Sequence, residues 1–295
     1  MKYILMCGGD YSDKFKKPKQ LTKVEGEVLV ERTIRLLKEN GVKDILISTN
    51  NKAFEYLKLP ILKSKRIYHH DDPERHHNSD KSWLNAYYDI GEPCCYIHAD
   101  VYFSENAIKT IVETEGTKFF CTRDIYDGRP VGINCKGREP LAYKVEDYER
   151  FRKAINDLKD EIDKGMFTRD PISWNVYRKL NNLMIDYDDF GSDIFDRDGD
   201  YVVIDDYTTD VDSESDVQKI HNLLHIDELP KIKVEVIEEF TLGRFNEIRN
   251  LERVGMDEIG RLFVGDRFEC TEDLARYLLG DNSQGKTVVR LLEID

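Results

Sequence analysis

The stretch Tyr3-Ile4-Leu5-Met6-Cys7-Gly8-Gly9, with the polar loop to Lys17-Pro18-Lys19-Gln20-Leu21 and the run Val28 to Asn40 behind it, decides how this chain folds. An unbroken apolar run ending in a glycine pair is the pattern of a short strand buried on both faces. Val28, Leu29, Thr33, Leu36 and Leu37 then share one side of a helix, and Gly41 is placed as its stop. The order is apolar strand, glycine turn, lysine-bearing loop, helix. It is one way for an α/β protein to bring backbone N–H groups and a cation to a phosphate chain. A glycine pair alone says less, because any tight strand-to-loop turn uses glycine for positive φ.

Outward from that unit, helical and extended patterns alternate through the first two-thirds of the chain. Strands are expected over Asp44–Thr49, Cys94–His98, Lys118–Thr122, Val131–Cys135 and Tyr201–Asp205. Helices are expected over Ser82–Tyr88, Val145–Lys164 and Ser213–Leu224, with Trp174–Arg178 on a further helix face. The fold class is therefore α/β, a mainly parallel sheet with flanking helices, spanning residues 1–228. The pattern changes near Leu229-Pro230. From Lys231 the residues alternate, with Ile232, Val234 and Val236 on one side. Gly265-Asp266 separates the β-rich runs Arg261–Val264 and Arg267–Cys270. Thr271 caps a short helix ending near Gly280, and Lys286–Ile294 is a last strand. Residues 231–295 thus form a small β-rich accessory domain, the expected place for a protein partner or a second copy to dock.

Leu5 to Gly9, Pro18 to Leu21 and Glu31-Arg32-Thr33 together resemble the N-terminal signature of the nucleotidyltransferases that activate sugars and related phosphorylated compounds. The resemblance covers residues 1–225 and implies a glycosyltransferase-A-like fold, an NTP substrate and Mg²⁺. One departure is local: Gly8-Gly9-Asp10-Tyr11-Ser12 replaces the family's Gly-x-Gly-x-Arg, leaving Lys14, Lys16 or Lys17 to supply the loop charge. Cys7, Gly8 and Gly9 would approach the nucleotide. Lys19 would meet the triphosphate, and Ser82, opening Ser-Trp-Leu-Asn-Ala, would lie against the nucleotide. Asp100, in His98-Ala99-Asp100-Val101-Tyr102-Phe103, would be catalytic by holding the metal. It also lies just past a strand's carboxyl end, where open α/β sheets bind ligands. The second carboxylate is Asp212, since Val211-Asp212-Ser213-Glu214-Ser215-Asp216 resembles the family's Val-Asp-Thr-Pro-Glu-Asp, with Asp210 and Asp205 behind it. That late segment looks most like a cytidylyltransferase's, which favours CTP. Each carboxylate also has a plain structural use, as a cap of the helix or turn that follows.

Composition sets limits. A net charge of −14, from 44 basic and 58 acidic residues, disfavours nucleic-acid and anionic-membrane partners. A bound nucleotide needs only a metal and two or three lysines. Six cysteines without Cys-x-x-Cys spacing read as free thiols in a reducing cytoplasm. Leu5-Met6-Cys7-Gly8 carries the letters of a lipoprotein cleavage site, but the apolar run before it is too short for a signal segment. His69-His70-Asp71-Asp72 and His76-His77 have no standard zinc spacing and read as a substrate-side loop. Arg123, Lys144, Trp174 and Arg178 are candidates for the acceptor pocket or for scaffold. Two other readings stay open. A glycosyltransferase would show Asp-x-Asp after the central strand, where this chain has Asp100-Val101-Tyr102. A non-catalytic nucleotide-binding module would tolerate the altered glycine loop.

Overall fold

A computed structural model describes residues 1–8, 17–63, 77–122, 139–188, 200–204, 206–225, 231–241, 261–281 and 286–292. Seven strands form the main sheet: β1 Lys2–Met6, β2 Ile45–Thr49, β3 Ile61–Lys63, β4 Cys94–His98, β5 Lys118–Thr122, β6 Pro140–Val145 and β7 Tyr201–Ile204. Their order across the sheet is β7-β5-β6-β4-β1-β2-β3. All neighbours run parallel except β6, which is antiparallel to both β4 and β5. From β1 the chain steps outward through β2 and β3, then returns to lay β4 on the other side of β1. The crevice between the carboxyl ends of β1 and β4 is thus a topological switch point, the place where such sheets bind ligands. Met6 and His98 lie side by side in register there.

Period-two alternation sorts the strands between two cores. Tyr3 and Leu5 face the layer built by α1 (Leu29–Glu39) and α2 (Glu105–Glu113), which contributes Val30, Ile34, Leu37, Ala107, Ile108 and Ile111. Ile4 and Met6 face the opposite layer, built by α3 (Tyr148–Asp163) and α4 (Ser173–Leu180) with Phe151, Leu158, Trp174 and Tyr177. α1 starts after Val28, whose extended backbone ends a two-residue hairpin with Lys23-Val24. It stops at Asn40, and Gly41 follows with φ 82°, a left-handed turn in which glycine alone carries no steric cost.

Several expectations need correction. Ser82–Tyr88 is not an α-helix. Two single 3₁₀ turns, Ser79–Lys81 and Trp83–Ala86, take its place, because the side chains of Asn78 and Ser82 cap each turn from within the segment. Val145 closes β6, and α3 begins three residues later with Asp147 accepting from the Arg150 N–H. β6 itself was not anticipated. Pro140, which opens it, reads locally as a strand breaker but is tolerated at a strand's first position. The run Val131–Cys135 and the histidines at 69, 70 and 76 lie outside the described residues. No helix among the described residues is long and apolar enough to cross a membrane.

The chain divides into two compact units, the first comprising Met1–Thr122 and Arg138–Glu214, the second including Ser215–Asp295. That division falls upstream of Leu229-Pro230 because α5 (Glu214–Leu224) groups with the C-terminal elements. In the second unit β8 (Lys231–Val236) pairs antiparallel with β9 (Arg267–Thr271) and β10 (Val289–Leu291). Val234, Val236, Phe268, Cys270, Leu274, Leu278 and Val288 form its core. Thr271 caps α6 (Glu272–Arg276) through the Leu274 N–H, and Gly280 has φ 133° where the helical segment turns out of regular geometry. The last strand is shorter than the Lys286–Ile294 expected from sequence.

Candidate active site

Lys19, Asp100 and Asp212 meet, although they are far apart in sequence. The Lys19 ammonium lies 2.6 Å from Asp212 Oδ1 and 3.1 Å from Asp100 Oδ2. Each side chain is about a quarter exposed, so the cluster is open to solvent on one side. Burial would lower the lysine's pKa, but Asp100 and Asp212 outweigh it and hold it above its ordinary value. Burial likewise penalises the Asp100 carboxylate, yet the charges of Lys19 and His98 carry its pKa below the usual value. Lys19 is thus a cation held against the Asp100 carboxylate and beside Asp212.

Each member is delivered by a different element. Pro18 and the 3₁₀ turn Lys19–Leu21 fix the lysine beyond β1, with Gln20 buried beneath. Asp100 stands two residues past the end of β4. A two-residue antiparallel ribbon, Val101-Tyr102 with Thr209-Asp210, then brings in the late carboxylate. The Asp100 carbonyl accepts from the Val211 N–H at 2.9 Å, which sets Asp212 beside Asp100. A polar network locks the ribbon. Ser104 Oγ donates to Asp206 at 2.5 Å, the Thr208 N–H donates to Asp206 Oδ1 at 2.7 Å, and the Ser104 N–H donates to Thr208 Oγ1 at 2.9 Å. Of the three late candidates, Asp212 reaches the cluster. Asp210 sits in the ribbon opposite Val101, and Asp205 is outside the described residues.

Arg32, at the centre of Glu31-Arg32-Thr33, had no role assigned from sequence. Its Nε donates to the Phe103 carbonyl at 2.9 Å, its guanidinium lies 4.5 Å over the Tyr102 ring, and Glu27 sits 3.3 Å from Nη1. Helix α1 is thereby tied to the strand residues that follow Asp100. Thr33 turns inward and donates to the Leu29 carbonyl. The motif was legible; the clamp was not, because it joins residues 71 positions apart.

Other sequence candidates have structural employment. The Cys7 N–H donates to Ser48 O at 3.0 Å and its carbonyl accepts from Thr49 Oγ1 at 2.9 Å, so Cys7 prolongs β1 by one residue alongside β2 and is buried. Gly8 follows, half-buried; Gly9 lies outside the described residues. Ser82 is buried, donating to Asp170 Oδ1 at 2.6 Å while accepting from the Leu84 N–H. Lys144 belongs to the scaffold: its ammonium donates to the carbonyls of Ile111, Val112 and Thr114 at the C-terminus of α2, where a cation complements the helix dipole. Trp174 packs on Phe119 within the aromatic core, and Arg178 donates to the Met184 carbonyl. Arg123 lies outside the described residues.

Two carboxylates converging on one point offer the hard oxygen donors that suit Mg²⁺, which is usually held by one or two carboxylates together with substrate phosphates. The donor set fits. With strand, Pro-Lys-x-Leu and helix in place and two carboxylates meeting that lysine, the chain resembles the nucleotidyltransferases. No family model matches it. Over 183 residues, 61% of this chain, it is 25% identical to a Thermococcus kodakarensis protein named bifunctional IPC transferase and DIPP synthase. The match takes in 40% of that protein, so the chain spans less than half of its relative's length. Among solved structures it is similar to the CTP:phosphocholine cytidylyltransferase of Streptococcus pneumoniae, at 18% identity and TM-score 0.47, over 76% of this chain and 98% of that one. It is also similar to a putative glucose-1-phosphate thymidylyltransferase of Bacillus anthracis, at 16% identity and TM-score 0.43, over 75% and 94%.

Proposed function

We propose that the chain is a Mg²⁺-dependent nucleotidyltransferase joining an NMP, from CTP by preference, to a phosphorylated sugar, polyol or amino-alcohol. The observation that carries this reading is the convergence of Lys19, Asp100 and Asp212 beside the carboxyl ends of β1 and β4. A phosphate oxygen of the acceptor attacks the α-phosphorus of the NTP, the bond to the bridging oxygen breaks, and pyrophosphate leaves. No protein nucleophile is needed, so the site works by positioning and by stabilising charge. Asp100 and Asp212 would hold the metal, which when bound neutralises phosphate charge. Lys19 stabilises the negative charge gathering on the departing pyrophosphate. Gly8 and Gly9 let the backbone approach the nucleotide, and Ser82 fixes the segment beside it through Asp170. The preference for CTP rests on the Val211-to-Asp216 segment.

A pyrophosphate-release screen of four NTPs against phosphorylated sugars, polyols and amino-alcohols tests the reading. Release with CTP and one acceptor class is expected. Release of a sugar from a nucleotide sugar, without pyrophosphate, would transfer the site to the glycosyltransferases; no turnover in either assay would leave a nucleotide-binding module.

A further inference from the structure

We propose that Lys19 competes with the divalent cation for the oxygens of Asp100 and Asp212, so that the metal binds more tightly with nucleotide present than alone. The inference rests on the reading above, in which those two carboxylates are the metal ligands. One ammonium nitrogen already touches both, at 2.6 Å and 3.1 Å, within the space from which a bridging cation would have to reach the same oxygens. Mg²⁺ sits roughly 2.0–2.1 Å from its ligands. Two cations drawn to the same Asp100 and Asp212 oxygens repel each other at that separation.

The lysine can leave without disturbing the fold. Its backbone is held by Pro18 and by the 3₁₀ turn, whose Leu21 N–H donates to the Pro18 carbonyl at 2.9 Å. Four flexible methylenes lie between that fixed backbone and the ammonium. A triphosphate offers the displaced ammonium new anions, whereas bulk water does not offer it charge. Nucleotide therefore lowers the cost of vacating the carboxylates, and metal bound there in turn favours phosphate. That is a reciprocal coupling between two ligands of one site. It makes Lys19 both the partner of the phosphates and the guard of the metal seat. A cation alone has to displace an ion pair to enter.

Titrating the whole 295-residue chain with Mn²⁺ in the absence of nucleotide, and counting free Mn²⁺ by paramagnetic resonance, tests this. Lys19→Met should bind Mn²⁺ about tenfold more tightly than the wild type, while Lys19→Arg, which keeps the charge, should stay near it. Asp100→Asn and Asp212→Asn should weaken binding. If they do not, the metal assignment itself fails. If they do and Lys19→Met gains nothing, the assignment stands and the competition is wrong. A second measurement needs no variant. Amine acetylation of wild-type Lys19, read by mass spectrometry, should rise when Mn²⁺ is added, since the ammonium is released to solvent. Unchanged or reduced labelling would overturn the proposal.

Discussion

Lys19 touches two carboxylates, and that arrangement sets what single substitutions should do. Asn at Asp100 or Asp212 removes a charge while nearly keeping shape, so turnover should fall by at least about 100-fold with the fold intact. Steady-state kinetics under saturating Mg²⁺ together with circular dichroism would check it; wild-type turnover in both variants would refute the assignment. The pH dependence follows from the same contacts. Asp100 is held below its usual 3.8, so the stability it contributes is present above that value and lost as pH falls through its native pKa. Lys19 is held above its usual 10.5, so its contribution is present below that value and lost only as pH rises through the native one. The melting-temperature gap between wild type and Asp100→Asn should therefore stay constant from about pH 5 to 9 and shrink below about pH 4. The thiols give a further expectation. Cys7, Cys94 and Cys95 are buried, and burial raises their pKa values, that of Cys94 to about 12. With so little thiolate, they should resist iodoacetamide in the native state and react only on unfolding, as peptide mapping would show.

At the scale of elements, Arg32 couples α1 to the residues that follow Asp100. Arg32→Met keeps much of the stem but loses the bond to the Phe103 carbonyl, the contact over Tyr102 and the pairing with Glu27. A loss of about 1–3 kcal/mol is expected in urea unfolding, with turnover reduced because the Asp100 segment is less firmly placed. A variant as stable and active as wild type would show the clamp to be idle. The opposite layer depends on a ring cluster. Phe119, fully buried, lies between Tyr143, Trp174 and Tyr177 with centroids 4.9 to 5.3 Å away. Phe119→Ala should cost about 3–5 kcal/mol through lost contacts and the cavity left behind, measurable by the same unfolding titration.

For the whole molecule, the proposed division of labour puts the chemistry in the first unit and leaves residues 231–295 as an accessory domain. Lys19, Asp100 and Asp212 all precede Ser215, and the second unit has its own core around Val234, Phe268 and Leu278. A chain truncated after Glu228 should still gain thermal stability from CTP with Mg²⁺. If it folds yet binds no nucleotide, the C-terminal residues complete the site. In the full chain the largest thermal shift among the four NTPs should come from CTP; a purine nucleotide stabilising most would overturn that choice.

The sequence by itself determined whatever depends on neighbours along the chain. β4 and β5 were legible residue for residue because each is an apolar run buried on both faces, and α1 because a helical stripe ends at a glycine. Lys19 and Asp100 could be singled out because each follows a strand within a recognisable local pattern. Tertiary structure decided what depends on residues far apart. β6 opens with a proline and is a strand only because β4 and β5 flank it. Lys144 looks like a pocket cation until the end of α2 is seen to lie over it. Asp212 could not be separated from Asp205 and Asp210 by spacing alone, since several carboxylates crowd one short stretch. The backbone bond from Val211 to the carbonyl of Asp100 brings Asp212 beside Lys19, and pairing across more than a hundred residues leaves no local periodicity to read.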